Sequence, residues 1–245
     1  FFAAFVIALA RRGPGGLRAT ASTAMPVLQV FRGAMLALQI CAMVTAFTLL
    51  GLVEAHAVFA CYPLLIAALS GPVLGERVGW RRWVAIAVGF VGVLIILDPT
   101  HAVFSNAALI PLVTSAMFAL YGLLTRYAAR QDSPQTSFFW TGVAGAGVMT
   151  LIGVWHREVM SLPHYGVMAC LCVTGVTGHW LVIKCYDVAE ASAVQPFAYF
   201  QMVFAGLVGI VAFGDVLRSN TIIGASIVVA AGLFALIRAR QVSAG

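Results

Sequence analysis

Few side chains of this sequence could carry chemistry, and those few lie in or beside long apolar runs. His179, in Thr177-Gly178-His179-Trp180, is the titratable group set deepest in such a run. Small changes of surroundings carry an imidazole across neutral pH, so both a proton carrier and a neutral ring bonded to a carbonyl are open to it. The carboxylates fall near run ends instead: Glu54, Asp98, Glu158 and Asp215 at one set of ends, Glu76, Asp132, Asp187 and Glu190 at the other. Phe213-Gly214-Asp215 offers an aspartate at a helix end, with no second aspartate beside it for acid–base work. A phosphate-cradling Gly-rich loop with Lys, a His-Glu-x-x-His zinc motif and a nucleophile elbow are all missing from the sequence. Cys170-Leu171-Cys172 has neither zinc nor redox spacing, and all five cysteines read as small packing residues. No catalytic residue, metal site or cofactor is expected.

The elements that position these residues follow from composition. The chain is 62% apolar and 9% charged, with mean hydropathy +1.01. Soluble domains carry roughly 25% charged residues. A barrel in a membrane would alternate polar and apolar over segments of about 10 residues, whereas these runs are nearly continuous over about 20. The chain is therefore an all-α polytopic membrane protein. Its net charge of +6 comes from arginines between the runs. That placement reads as membrane orientation and not as nucleic-acid binding.

Residues 1–10 are apolar from the first position and stop at Arg11-Arg12-Gly13-Pro14. They read as the second half of a helix whose beginning is missing, so the sequence is expected to be N-terminally truncated. Eight full spans follow, at about 27–50, 55–74, 81–97, 105–126, 133–155, 163–186, 190–213 and 221–238. The connections Asp98-Pro99-Thr100-His101, Gln131-Asp132-Ser133-Pro134 and His156-Arg157-Glu158 are too short for a soluble domain. Alternating the spans from an inner side at Arg11 puts twelve Lys and Arg inside, Arg32 included, and only Arg157 and Arg218 outside. The asymmetry points to an inner-membrane protein with a cytoplasmic C-terminus.

One pattern occurs twice. Glu54-Ala55-His56-Ala57-Val58 opens an apolar helix with Pro63 and a close at Leu74-Gly75-Glu76; Glu190-Ala191-Ser192-Ala193-Val194 does the same with Pro196 and Phe213-Gly214-Asp215. The topology puts Glu54 outside and Glu190 inside, so the two copies of this duplicated membrane unit are inverted. The arithmetic gives inverted five-plus-five helix repeats, of which this chain holds eight full helices and a partial N-terminal one.

With these features the chain resembles the drug/metabolite transporter superfamily, specifically its EamA-type ten-helix proteins. The likeness is carried by Pro63-Leu64, Leu74-Gly75-Glu76-Arg77, Gly89-Phe90-Val91-Gly92-Val93, Gly178-His179-Trp180, Ala191 through Phe197, Tyr199, Phe213-Gly214-Asp215, Gly224-Ala225 and Gly232. It implies a partial first EamA repeat over 1–100, lacking its first helix, and a second, inverted repeat over 101–240. It also implies secondary transport of a small organic solute by alternating access, without ATP and without covalent chemistry. The expected cargo is an exported amino acid or related metabolite. The alternatives are import of a vitamin or nucleotide-like metabolite of the riboflavin or S-adenosylmethionine type, or a non-transporting or channel-like membrane subunit. The partners are then the solute and the lipid bilayer, with a homodimer left open.

Polar side chains in spans are costly, so their faces are informative. Arg32, Leu36, Gln39 and Met43 share one helical stripe; Thr114, Met117, Tyr121 and Thr125 share another; Cys172, Val176, His179 and Tyr186 a third. The repeat helices add His56 and Tyr62 in one half and Gln195, Tyr199 and Gln201 in the other. These helices sit where the resemblance places the cavity wall. Gln39, Tyr62, Tyr121, His179, Trp180, Tyr199 and Gln201 are the expected pathway residues, with interhelical hydrogen bonding or packing the alternative for each. Pro63 and Pro196 interrupt the repeat helices and are the expected hinges. Gly142, Gly145, Gly147, Gly224 and Gly232 are expected to permit close helix contact.

Overall fold

In hydrocarbon the backbone has no partner but itself, so each apolar run can only coil into a helix. The computed structural model describes residues 6–7, 11, 16–75, 79–97, 106–155 and 161–243, and every regular element among them is helical. In chain order these are α1 (Gly16–Ala21), α2 (Pro26–Leu50), α3 (Leu52–Phe59), α4 (Tyr62–Leu74), α5 (Trp80–Leu97), α6 (Asn106–Ala128), α7 (Pro134–Trp155), α8 (Leu162–Val188), α9 (Ala191–Val208), a π-turn at Gly209–Phe213, and α10 (Ser219–Ser243). Glu76-Arg77, Asp98 through His101, His156 through Glu158 and most of the N-terminal stub lie outside the described residues.

Each expected run falls on a helix. Pro26–Leu50, Leu52–Leu74, Leu109–Ala128, Pro134–Trp155 and Leu162–Val188 are long and apolar enough to cross a membrane, and Trp83–Ile96, Phe197–Phe213 and Ser219–Ala235 are shorter apolar stretches. Along α8, Leu162, Val167, Leu171 and Leu181 are all exposed. So much contiguous apolar surface is out of place in water and at home in lipid. The chain is a polytopic helical membrane protein.

The two prolines act differently. α3 stops at Phe59, Ala60 and Cys61 turn, and α4 restarts with Pro63 in its first turn, where the missing N–H is harmless. α9 instead runs unbroken through Pro196, and its departure from α geometry comes at the Gly209–Phe213 π-turn. Gly75 and Gly214 both close their helices in the left-handed region, at φ 76 and 69, which only a residue without a Cβ adopts freely.

The chain divides into two compact units. The first comprises Phe1–Leu38 and Leu124–Val188. In it Val6, Phe138, Phe139 and Ile183 form a buried apolar cluster, with Trp140 and Trp180 packed on it. Gly33 lets α2 approach α7 so closely that a Cβ there would stand 2.9 Å from both the Ala144 Cβ and the Trp140 carbonyl. Gly142 faces Val6, Gly145 lies near the Gly33 carbonyl, and Gly147 meets nothing. The Arg126 guanidinium donates to the carbonyls of Tyr186 (2.9 Å) and Asp187 (3.1 Å), satisfying the C-terminus of α8.

The second unit comprises Gln39–Leu123 and Ala189–Gly245. Its principal seam joins α5 to α10 through glycines: a Cβ on Gly92 would stand 2.7 Å from the Gly224 carbonyl, and one on Gly224 would overlap the Gly92 carbonyl. Ala57, Cys61, Leu64, Val93, Tyr199 and Val228 belong to the core beside it. All five thiols are free; Cys61 is buried as expected of a packing residue, while Cys170 and Cys185 are exposed on α8.

Candidate functional site

The second unit gathers aromatic rings from four helices. Phe47 ends α2, His56 and Phe59 lie on α3, Tyr62 opens α4, and Phe118 and Tyr121 are one turn apart on α6. Phe47 and His56 stack at 4.8 Å with 10° between planes, and Phe59 meets His56 edge-on at 6.4 Å. Phe118 then ties three rings together: Phe59 at 5.5 Å, Tyr62 edge-on at 4.8 Å and Tyr121 at 6.0 Å. Phe59, Tyr62 and Tyr121 are buried, while Phe47, His56 and Phe118 keep part of their surface exposed. Edge-to-face and offset pairs add about 0.5–1.5 kcal/mol each beyond their buried area, so the cluster is rigid as well as aromatic. Local chemistry seats it: the Ser115 hydroxyl bonds the Phe59 and Pro111 carbonyls, and the Thr114 hydroxyl bonds the Pro111 carbonyl and Met43 Sδ.

Of the residues expected on the pathway, the structure brings Tyr62 and Tyr121 together through Phe118. Gln39 is buried on α2 in the same unit. Tyr199 packs in the apolar core around Cys61, and its buried hydroxyl has no hydrogen-bond partner among the described residues. Gln201, two residues on, is exposed; at 100° per residue the two side chains leave opposite sides of α9. Gln195 bonds back to the Ala191 carbonyl of its own helix. In the first unit Trp180 meets Phe138 edge-on at 5.1 Å and carries the Lys184 ammonium 5.2 Å over its ring; His179 is half-buried beside it on α8. The side chain of Pro196 lies outside what is described.

The first unit also holds a polar network that sequence reasoning missed. Arg32, counted above among the inner-side cations, is fully buried. It donates to the Gln29 side chain (2.7 Å), the Thr125 hydroxyl (3.0 Å) and the Ser137 carbonyl (2.6 Å). Gln29 in turn donates to Asp132 at 2.8 Å. Asp132 lies in the α6–α7 connection and also accepts from the Thr23 hydroxyl and from the Ala24 N–H at 2.9 Å. Burial pushes the Asp132 carboxyl up, but these donors and the Arg32 charge outweigh it and hold it below its ordinary value of 3.8. Only the one-turn spacing of Gln29 and Arg32 was available in the sequence as a signal.

A smaller polar junction closes the second unit at the start of α3. The Asp215 carboxylate accepts from the Val53 N–H at 2.9 Å, capping that helix from outside its own chain segment. Arg218 pairs with Glu54 at 3.1 Å, half-exposed. Asp215 therefore has a structural role at this junction. No metal-holding cluster occurs among the described residues.

An aromatic surface with a few fixed polar groups has the chemistry to stack against a flat ring. The chain is 24% identical over 215 residues to the S-adenosylmethionine uptake transporter of Rickettsia prowazekii, covering 86% of this chain and 72% of that protein. It is 32% identical over 176 residues to the riboflavin transporter of Vibrio cholerae, covering 68% of this chain and 56% of that protein. A solved crystal structure superposes with a TM-score of 0.69 at 17% identity, over 98% of this chain and 85% of that one, a likeness of fold alone. These relatives are transporters, not enzymes. The family model for EamA-like transporters matches residues 105–237, just over half of the sequence, and the chain belongs to the EamA-like transporter family.

Proposed function

We propose that this chain is a secondary transporter that takes up a flat heteroaromatic metabolite, of the riboflavin or S-adenosylmethionine type, by alternating access. The observation that carries the reading is the ring cluster Phe47, His56, Phe59, Tyr62, Phe118 and Tyr121. Flat rings bind by stacking on such surfaces, and a solute site in a helical transporter is mostly apolar with few polar groups. The relatives' names support uptake of a vitamin or nucleotide-like solute over the amino-acid export expected first. Riboflavin and S-adenosylmethionine share a flat nitrogen heterocycle carrying a five-carbon polyol or sugar, which is the chemistry the cluster suits.

The reading keeps the inverted five-plus-five design with eight full spans in this chain, an inner-membrane location and a cytoplasmic C-terminus. Gly75 and Gly214, matched in the two copies of the repeat, share one backbone conformation, which supports the duplication. Gln39, Tyr62, Tyr121, His179 and Trp180 remain its pathway residues. Tyr199 and Gln201 leave α9 on opposite sides, so at most one of them serves there. Pro63, at the α3–α4 break, is the better-supported hinge of the two prolines.

Proteoliposomes holding the protein should accumulate labelled riboflavin or S-adenosylmethionine saturably. Absence of saturable flux for both would sink the uptake reading, and non-saturating flux would indicate a channel. Cysteine labelling should place positions 54 and 190 on opposite faces of the membrane; labelling from one face would end the inverted-repeat design.

A further inference from the structure

His56 is held in one orientation, and the hold leaves one of its atoms unused. Its Nδ1 lies 3.0 Å from the Leu52 carbonyl, which can only accept, so Nδ1 carries the proton. In the neutral ring the lone pair is then on Nε2, a hydrogen-bond acceptor. Phe47 lies parallel to one face of the ring at 4.8 Å and Phe59 meets it edge-on, which fixes the ring plane. None of the described residues donates to Nε2, and the side chain is half-buried, so that acceptor remains reachable. An oriented acceptor at the margin of an aromatic surface is a recognition element for a donor in the plane of a flat ring.

We infer that His56 Nε2 accepts the edge N–H of the transported ring and is a specificity-determining residue. The inference rests on the uptake reading and narrows it: the ligand is a planar nitrogen heterocycle with an N–H donor on its rim. Riboflavin supplies an imide N–H and S-adenosylmethionine an exocyclic amine, so the same contact serves either source. A heterocycle of equal size that offers only acceptors or methyl groups at that edge leaves Nε2 buried without a partner, and is disfavoured for that reason.

The test measures binding to the full chain in lipid nanodiscs, using quenching of flavin fluorescence. The probes are lumiflavin and 3-methyllumiflavin, with adenosine and N6,N6-dimethyladenosine as competitors. Wild type should prefer each N–H form over its methylated counterpart by about tenfold, the scale of one well-placed hydrogen bond. His56→Phe, which keeps a ring to stack on Phe47 but has no acceptor, should bind both forms alike. His56→Gln, whose amide oxygen can accept, should recover part of the preference. Melting temperatures of both variants, measured in the same discs, show whether the fold survives. Equal binding of parent and methylated probes by wild type would overturn the inference while leaving uptake standing, and so would a preference that persists in folded His56→Phe. Wild type that binds neither parent ring would remove the uptake reading and this inference with it. The parent that competes at the lower concentration identifies the source of the donor.

Discussion

The Tyr199 hydroxyl occupies the place that a Cβ on Gly232 would need, so α9 and α10 meet as a ring against a bare backbone. That hydroxyl is buried with no hydrogen-bond partner among the described residues. Adding a methyl here forces the ring aside, and overpacking of this kind costs about 1–3 kcal/mol. Gly232→Ala should therefore lower the melting temperature in detergent. Tyr199→Phe should leave it equal or higher, because the variant deletes a buried polar group without opening a cavity.

Asp132 makes stability depend on acid. Its folded carboxyl titrates below the ordinary value, so its contribution is complete above about pH 4 and is lost as pH falls through the lower folded value. Tryptophan fluorescence during acid titration should show wild type losing stability more steeply below that pH than Asp132→Asn. Arg32→Met should cost at least about 2 kcal/mol at neutral pH, because it removes the donor to the buried Gln29 Oε1 and two further hydrogen bonds, to the Thr125 hydroxyl and the Ser137 carbonyl.

At the start of α3 two carboxylates of similar appearance should differ in weight. Asp215→Ala removes the acceptor of the Val53 N–H, a cap worth about 1 kcal/mol. Glu54→Gln loses only an ion pair with an arginine whose side chain is 56% exposed, and should change stability by less than about 1 kcal/mol. Parallel thermal melts at low and high salt separate them, since the exposed ion pair is screened more than the part-buried cap.

Phe118 touches three rings of the cluster. Phe118→Leu keeps an apolar side chain but loses the flat faces, and KM for riboflavin uptake should rise about tenfold, the worth of one to two aromatic pairs. An unchanged KM would take the cluster out of the solute path.

The helices were legible because a membrane span is a local property: length and hydropathy placed the runs, and the Gly-acid closes marked two of the left-handed glycines, Gly75 and Gly214. Pro63 was legible as a break because a proline at the start of a helix needs only its neighbours. Pro196 was not, since α9 tolerates the missing N–H and yields later, at Gly209–Phe213. The Arg32 network was hidden for a different reason. Thr125 and Ser137 lie 93 and 105 positions from it, and nothing local separates an arginine anchored at an interface from one buried among hydroxyls and carbonyls. Likewise Tyr121 was picked by helical stripe and Tyr62 from its repeat helix, but the phenylalanines that join them look like ordinary apolar residues until the fold brings them together.

The contact between Gly92 and Gly224 also imposes a timetable. Asn220 reaches the Ile96 carbonyl across 124 positions of sequence, so α5 leaves the ribosome long before α10 exists. At roughly 5–20 residues per second, α5 spends on the order of ten seconds in the bilayer with its glycine groove covered only by lipid or by the insertion machinery. A nascent chain stalled before Ser219 thus presents that bare groove, and its turnover should far exceed that of the finished protein.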